Sequence, residues 1–269
     1  MTGEDKPSIY LAGAGRMGSA LLRGWLATGV SSKNLFVKEP NPVPDVKELL
    51  KARGIEAAPP EAPGVIVLAV KPQIMDSVLA EIAPLAASGT VILSVAAGRT
   101  LASIGAHLPP ASAIVRCMPN LPAEIGRGIT AACANPAVND EQKSWCAALL
   151  SAVGEVLWLD DEGLMDAVTA VSGSGPAYVF YLTECLAEAA RGAGLPEETA
   201  MQLARATIAG AGELLFQSGL TAVQLRENVT SPNGTTAAGL SVLMSDPGLK
   251  DLMAKIVAAA AQRSRELAQ

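Results

Sequence analysis

Short, mainly apolar runs alternate with longer amphipathic stretches from Ser8 to about residue 160. Ile9-Tyr10-Leu11-Ala12, Leu35-Phe36-Val37 and residues 65–70, 91–95 and 113–115 have the length and β-branched content of buried strands. Residues 17–27, 46–53, 75–85 and 101–108 lie between them, with lengths and spacing that suit crossover helices. Repeated strand–helix–strand units predict a mainly parallel sheet covered on both faces. Two further apolar runs, 129–134 and 156–159, flank a helix-like stretch around Trp145 and extend that sheet. Beyond Asp160 long Ala/Leu/Glu-rich stretches bounded by Gly and Pro predict helices over 163–171, 177–193, 196–217, 222–228, 236–244 and 247–267. Pro196 and Pro247 fall near helix starts, where a missing N–H costs nothing. The expected class is α/β: a mainly parallel sheet domain over residues 1–160, then an all-helical domain over 161–269. Residues 200–215, small and apolar over much of the helix circumference, read as a helix buried on more than one side and hence as a dimerisation surface.

Composition removes several function classes. With 269 residues the chain has room for two cores, and half its residues are apolar against 17% charged, which describes a compact chain rather than a disordered one. The net charge of −6 and pI near 5.0 come without a dense Lys/Arg block, so a small molecule is expected as partner, not nucleic acid or an anionic membrane. Residues 1–6 lack the basic-then-apolar order of a secretion signal, and the apolar stretches, 256–261 included, are interrupted before they reach bilayer length. A soluble cytoplasmic protein is expected. Cys117, Cys133, Cys146 and Cys185 are widely spaced, form no CxxC and are accompanied by a single His, His107, so the reading is no metal site and four reduced, mostly buried thiols.

Gly13-Ala14-Gly15-Arg16-Met17-Gly18 matches G-x-G-x-x-G between an apolar strand and a helix-like segment, the context of a Rossmann-type dinucleotide site. The first glycine permits the tight turn, the second lets backbone amides approach a pyrophosphate, and the third lets helix pack closely on strand. The helix N-terminus adds partial positive charge for the phosphates. The bland alternative is a glycine-rich strand–helix turn without a ligand. At the end of the second strand, Glu39 lies about twenty residues beyond the turn, where a carboxylate accepts from a ribose 2′-hydroxyl and disfavours a 2′-phosphate. Lys38 and Asn41 offer the opposite, a cation and an amide for that phosphate, so the reading leaves NADH and NADPH open. As solvated loop residues these charges would mean nothing.

Four further segments carry a family resemblance: Leu68-Ala69-Val70-Lys71-Pro72-Gln73; Ser94-Val95-Ala96-Ala97-Gly98; Arg116-Cys117-Met118-Pro119-Asn120; and the pair Val171-Ser172-Gly173-Ser174-Gly175-Pro176-Ala177-Tyr178 with Ser231-Pro232-Asn233-Gly234-Thr235-Thr236. In this order, from the glycine turn to about Leu243, they resemble pyrroline-5-carboxylate reductase, which makes L-proline in the last step of proline synthesis. The resemblance implies a Rossmann domain followed by a helical dimerisation domain, with the substrate at their junction, an active site shared between subunits, and dimers that assemble into rings of five. It implies that Ala69, Val70, Lys71 and Pro72, with Ala96, Ala97 and Gly98, line the nicotinamide on one side, and Met118, Pro119 and Asn120 on the other. It also implies that Ser174, Gly175 and Pro176, together with Ser231, Gly234, Thr235 and Thr236, surround the substrate carboxylate and ring nitrogen. Three positions depart from the family pattern: Asn233 for a second glycine, Ala14 for the middle glycine of the turn, and Cys117 for a common valine. Asn tolerates a left-handed backbone, so the 231–236 loop keeps its shape.

Read without the family, Gly234 precedes a helix start that Thr235 or Thr236 is placed to cap, with amides pointing outward to an anion; an ordinary capped turn is the alternative. Residues 172–176 are a helix break, either a plain interhelical turn or a close backbone approach to a ring. Lys71 could simply end a strand in solvent and Asn120 could cap a turn. The reaction implied is hydride transfer to the C=N carbon of a cyclic imine that arrives protonated, which needs placement more than acid–base power. Thr236 is the expected partner of the ring nitrogen, and His107 is expected to be structural. The competing readings are a 3-hydroxyacid dehydrogenase, for which the helical domain offers only Lys250 and Lys255 as proton donors, and a nicotinamide-binding sensor without turnover.

Overall fold

The computed structural model describes residues 7–59, 61–87 and 89–267, so residues 1–6, on which the expectation of no secretion signal rests, lie outside the described residues. Among them, strands β1 (Ile9–Ala12), β2 (Leu35–Lys38), β3 (Val65–Leu68), β4 (Val91–Ser94), β5 (Ala113–Met118), β6 (Gly128–Ala134) and β7 (Gly154–Trp158) form one sheet in the order β2-β1-β3-β4-β5-β6-β7. The first five run parallel. β6 pairs antiparallel with β5, and β7 follows β6 in parallel. The chain leaves β1 toward β2 and then crosses to β3 on the other side of β1, which creates a switch point between β1 and β3.

The uninterrupted apolar runs of β1, β3 and β4 reflect burial on both faces. Alternate residues feed opposite cores. Ile9, Leu11, Val65, Val67, Val91 and Leu93 pack on one face with α1 (Arg16–Ala27), α2 (Pro44–Arg53) and α5 (Asp140–Ser151). Tyr10, Ala12, Ile66, Leu68 and Ile92 face α3 (Met75–Ile82) and α4 (Leu101–Gly105). Trp25, fully buried on α1, satisfies its indole N–H on the Leu149 carbonyl of α5 at 2.9 Å. Helix α5 starts with a capping box between Asn139 and Gln142.

The chain divides into two compact units, the first reaching Gly173 and taking the chain in again from Ala261, the second spanning Ser174–Ala260. The sequence reading put the division at 160/161. Residues 161–173 instead pack with the sheet: Met165, on α6 (Met165–Val168), is buried against Ala131 and Cys133, and the Glu162 carboxylate accepts from Arg116 at 2.7 Å and from the Leu101 N–H at 2.8 Å. A π-helical turn, Thr169–Gly173, replaces the end of the helix expected over 163–171.

The second unit holds α7 (Gly175–Gly192), α8 (Glu197–Gln217), α9 (Ala222–Asn228), α10 (Thr235–Leu243) and most of α11 (Leu249–Leu267). The last turns of α11 belong to the first unit, where the Ser264 hydroxyl donates to Asp166 at 2.6 Å. Helices α7 and α8 pack on each other, and the small residues Ala187 of α7 and Ala200 and Ala204 of α8 are buried. The expectation that α8 is buried on several sides does not hold within one chain, since Met201, Leu203, Leu214 and Leu215 are exposed. Three of the four cysteines are buried and Cys185 is exposed, in line with the expectation of mostly buried thiols. Burial pushes the Cys146 thiol up to about 12 and Cys117 well above its ordinary range. Among the described residues no helix is long and apolar enough to cross a membrane.

Candidate active site

The glycine turn joins β1 to α1 at the switch point. Gly13 has φ +93°, and a Cβ there would meet the Ala69 carbonyl oxygen at 2.7 Å. A Cβ on Gly18 would lie 2.1 Å from the Gly13 carbonyl oxygen, so the first turn of α1 sits directly on the loop. Gly15 is different, because a Cβ on it would meet nothing within 4 Å. It is the N-cap of α1, no side chain caps the helix there, and its first turn carries no acid. An open surface over uncapped N–H groups is what a pyrophosphate requires, so these residues fit a dinucleotide. Ala14, buried, takes the place of the family's middle glycine by turning its methyl into the core. Met17 packs on the same core, and exposed Arg16 pairs with Glu124 at 3.2 Å.

A cleft of about 560 Å³ lies over the ends of β1, β2 and β3, bringing together Gly13, Gly15, Lys38, Glu39, Ala69, Val70 and Lys71. Pro72 begins the short helical turn that follows. The Glu39 carboxylate is held by two backbone N–H groups, Ala14 at 2.9 Å and Asn41 at 3.1 Å. Asn41 thus contributes its backbone here. Lys38, one of the two residues that the sequence offered for a 2′-phosphate, is hydrogen-bonded to Glu81, and that bond holds its ammonium above the usual lysine range. Glu81 was missed in the sequence. The signal was there in the i, i+4 spacing of Ser77 and Glu81, which puts both on the α3 face lining the cleft. Tyr10 also lines it, its phenol raised by burial and then by Glu81.

The remaining strand-end residues lie outside this cleft. After β4, Ala96 is buried, Ala97 exposed, and Gly98 adopts φ +75° with the Leu267 carbonyl 3.3 Å from where its Cβ would be. Arg99 donates to Asp76, fastening this segment to the first turn of α3, and His107 Nε2 stands 3.5 Å from the same carboxylate. After β5, Met118 packs under Gly173, where a Cβ would come within 2.5 Å of the Met118 methyl. Pro119 is buried. The Asn120 side chain caps no turn: its Oδ1 accepts from the Ile129 N–H at 3.0 Å and ties β5 to β6.

In the helical unit, Ser174 is the N-cap of α7, with Gly175 and Pro176 in its first turn. Ser231, Pro232, Asn233 and Gly234 form a β-turn closed by the Gly234 N–H on the Ser231 carbonyl at 3.1 Å. Asn233 sits at φ +60°, the left-handed position that follows a proline in a type II turn. A Cβ on Gly234 would meet Ser231 Oγ at 2.4 Å and the Ser231 carbonyl oxygen at 3.1 Å, so a larger residue there would have to turn the serine side chain aside. Gly234 also takes the N-cap position of α10, with φ −80° and ψ 171°. Thr235 and Thr236 therefore do not cap the helix as expected; they lie inside its first turn, exposed, and no side chain caps it. Among the described residues no group of three or more His, Cys, Asp or Glu could hold a metal ion.

Residues 8–98 match the family model described as NADP oxidoreductase, coenzyme F420-dependent, and residues 162–267 match that for pyrroline-5-carboxylate reductase dimerisation. Pyrroline-5-carboxylate reductase of Pseudomonas aeruginosa is 40% identical, over 98% of this chain and 97% of its own length. That of Mycobacterium tuberculosis is 38% identical, over 96% of each. The structure of a pyrroline-5-carboxylate reductase from Coxiella burnetii superposes with a TM-score of 0.91 at 34% identity, over 98% of this chain and 100% of that one. The Plasmodium falciparum enzyme, solved with NADP bound, gives a TM-score of 0.80 at 30% identity, over 99% and 100%. With an open glycine cradle in the first unit, the 231–236 turn in the second and relatives matching over 98% of its length, the chain belongs to the pyrroline-5-carboxylate reductase family.

Proposed function

We propose that this chain reduces 1-pyrroline-5-carboxylate to L-proline by hydride transfer from NAD(P)H, the last step of proline biosynthesis. The observation that carries this reading is the open surface at Gly15 over the uncapped start of α1, in a chain whose full-length relatives are pyrroline-5-carboxylate reductases. Gly13, Gly15 and Gly18 shape the turn, and the N–H groups of Arg16, Met17 and their neighbours hold the pyrophosphate. Ala69 to Pro72, Ala96 to Gly98 and Met118 to Asn120 form the walls of the nicotinamide site. The reduced nicotinamide, when bound, supplies the hydride that adds to the C=N carbon.

The helical unit handles the substrate. The first N–H groups of α10, at Thr235 and Thr236, are left without a side-chain cap, which supports their binding the substrate carboxylate with Gly234 and Ser231. The Thr236 hydroxyl accepts from the protonated ring nitrogen and so keeps the imine in its electrophilic form. Ser174, Gly175 and Pro176 approach the ring with little side-chain bulk. A protonated imine needs orientation rather than a strong acid, which explains a site without histidine.

The exposed apolar faces of α7 and α8, with the match to a dimerisation family, support a homodimer, and five dimers in a ring are the further assembly implied by the family likeness. Light scattering tests this, with a mass about twice or about ten times the 27.4 kDa chain. Free thiols and the absence of a membrane-crossing helix among the described residues support the cytoplasm as location. The decisive assay follows NADH and NADPH oxidation with 1-pyrroline-5-carboxylate and, separately, with 3-keto acids. Formation of L-proline is expected. Turnover of keto acids alone, or cofactor binding without oxidation of either, would overturn the reading.

A further inference from the structure

The adenosine end of the cleft carries its own charge logic, which rests on the dinucleotide reading above. Glu39 is pinned over the glycine turn from both sides, Oε2 by the Ala14 N–H and Oε1 by the Asn41 N–H. A carboxylate has about four lone-pair sites, so each oxygen keeps one free for a hydroxyl donor. Lys38 and Lys71 are the cations of the cleft wall, and Glu39 and Glu81 are its anions. Lys71 follows β3, whereas Lys38 ends β2 beside Glu39, where a ribose substituent is met. The Lys38 ammonium is engaged by Glu81 from α3, and Tyr10 stands within electrostatic reach of both.

We propose that Glu81 is a specificity-determining residue: by holding Lys38 beside a pinned Glu39, it makes this chain select NADH over NADPH. The 2′-hydroxyl of NADH donates to Glu39. A 2′-phosphate, with about −1.5 to −2 charges near pH 7, meets two carboxylates and one cation already neutralised, and it can recruit Lys38 only by leaving Glu81 unpaired. Because both partners of the Lys38–Glu81 pair are about half exposed, substituting Glu81 leaves the core untouched.

The test is a fluorescence titration of the full-length protein with NADH and NADPH, repeated by calorimetry with ADP-ribose and 2′-phospho-ADP-ribose, which report the same end without turnover. NADH is expected to bind roughly tenfold more tightly than NADPH, a gap that narrows as salt screens the carboxylates. Glu81→Gln frees Lys38 and lowers the NADPH-to-NADH ratio of dissociation constants by about two- to fivefold, and adding Lys38→Met to that variant reverses the change. Wild-type protein that binds NADPH as tightly as NADH, or a ratio unmoved by Glu81→Gln, overturns the inference while leaving imine reduction intact. Failure to bind either cofactor overturns both.

Discussion

Two glycines three residues apart should fail in opposite ways when each is changed to alanine. At Gly18 the new methyl lies 2.1 Å from the Gly13 carbonyl oxygen and 3.2 Å from the Ala69 Cβ. The first of these is backbone in a turn already committed to φ +93°, so little can yield. Overpacking costs about 1–3 kcal/mol, a rigid backbone contact puts this one in the upper part of that range at about 2–3, and the roughly 1 kcal/mol gained by removing a helical glycine offsets only part of it. A net loss of about 1–2 kcal/mol lowers Tm by about 2–8 °C in a chain of this size. At Gly15 the methyl meets nothing within 4 Å, and φ −66° suits alanine. The weaker N-cap, about 0.5 kcal/mol, is balanced by the lower entropy of the unfolded chain, so Tm stays close to wild type. That methyl instead occupies the surface a pyrophosphate must reach, and losing a charge-assisted hydrogen bond of about 1.5–3 kcal/mol weakens cofactor binding about 10- to 150-fold. Thermal unfolding of the cofactor-free protein and a nicotinamide fluorescence titration separate the two effects. A Gly15→Ala protein that binds cofactor like wild type refutes the cradle, and a Gly18→Ala protein with unchanged Tm refutes the packing argument.

Three further outcomes are expected. Thr236→Ala should lower kcat/KM for the cyclic imine about 10- to 150-fold, the loss of a hydrogen bond to a charged group, while the cofactor dissociation constant stays put; unchanged kinetics would remove Thr236 from the mechanism. Glu162→Ala strands the buried Arg116 guanidinium, 9% exposed, and should cost about 3–5 kcal/mol in urea unfolding, with much of that recovered in an Arg116→Met, Glu162→Leu double variant; a loss under about 1 kcal/mol would show the pair to be idle. The Cys146 thiol, pushed up to about 12 from 9.0 by burial, stays protonated in the folded chain while the unfolded chain releases its proton. The folded state then binds more protons, so stability falls as pH rises from about 9 toward 12, by about 1.4 kcal/mol per pH unit from this group. Cys146→Ala should flatten that alkaline decline; an equal slope in the two proteins would disprove the assignment.

The order and kind of elements were legible in the sequence because they follow from local periodicity. Buried parallel strands must be apolar on both faces, and β1, β3 and β4 read so directly. The glycine turn and the 231–236 turn were legible for a similar reason, since each depends on backbone conformations that few residue types adopt. Less visible was where the first unit ends. Residues 161–173 look like the start of a helical domain, and only Met165 against Ala131 and Cys133, with Glu162 on Arg116, assigns them to the sheet. The cap of α10 falls one or two positions before the threonines expected for it, because the loop closes on Gly234 before either of them.

The sequence alone determined a dinucleotide turn, a parallel sheet, a helical second half and the family to which they belong. What charge meets the ribose was decided by tertiary structure. Glu39 reaches Ala14 across 25 residues and Lys38 reaches Glu81 across 43, distances over which no local pattern operates. Parallel strand order brings the ends of β1, β2 and β3 and the face of α3 to one cleft, and that juxtaposition turns a lysine that could have held a phosphate into one already paired.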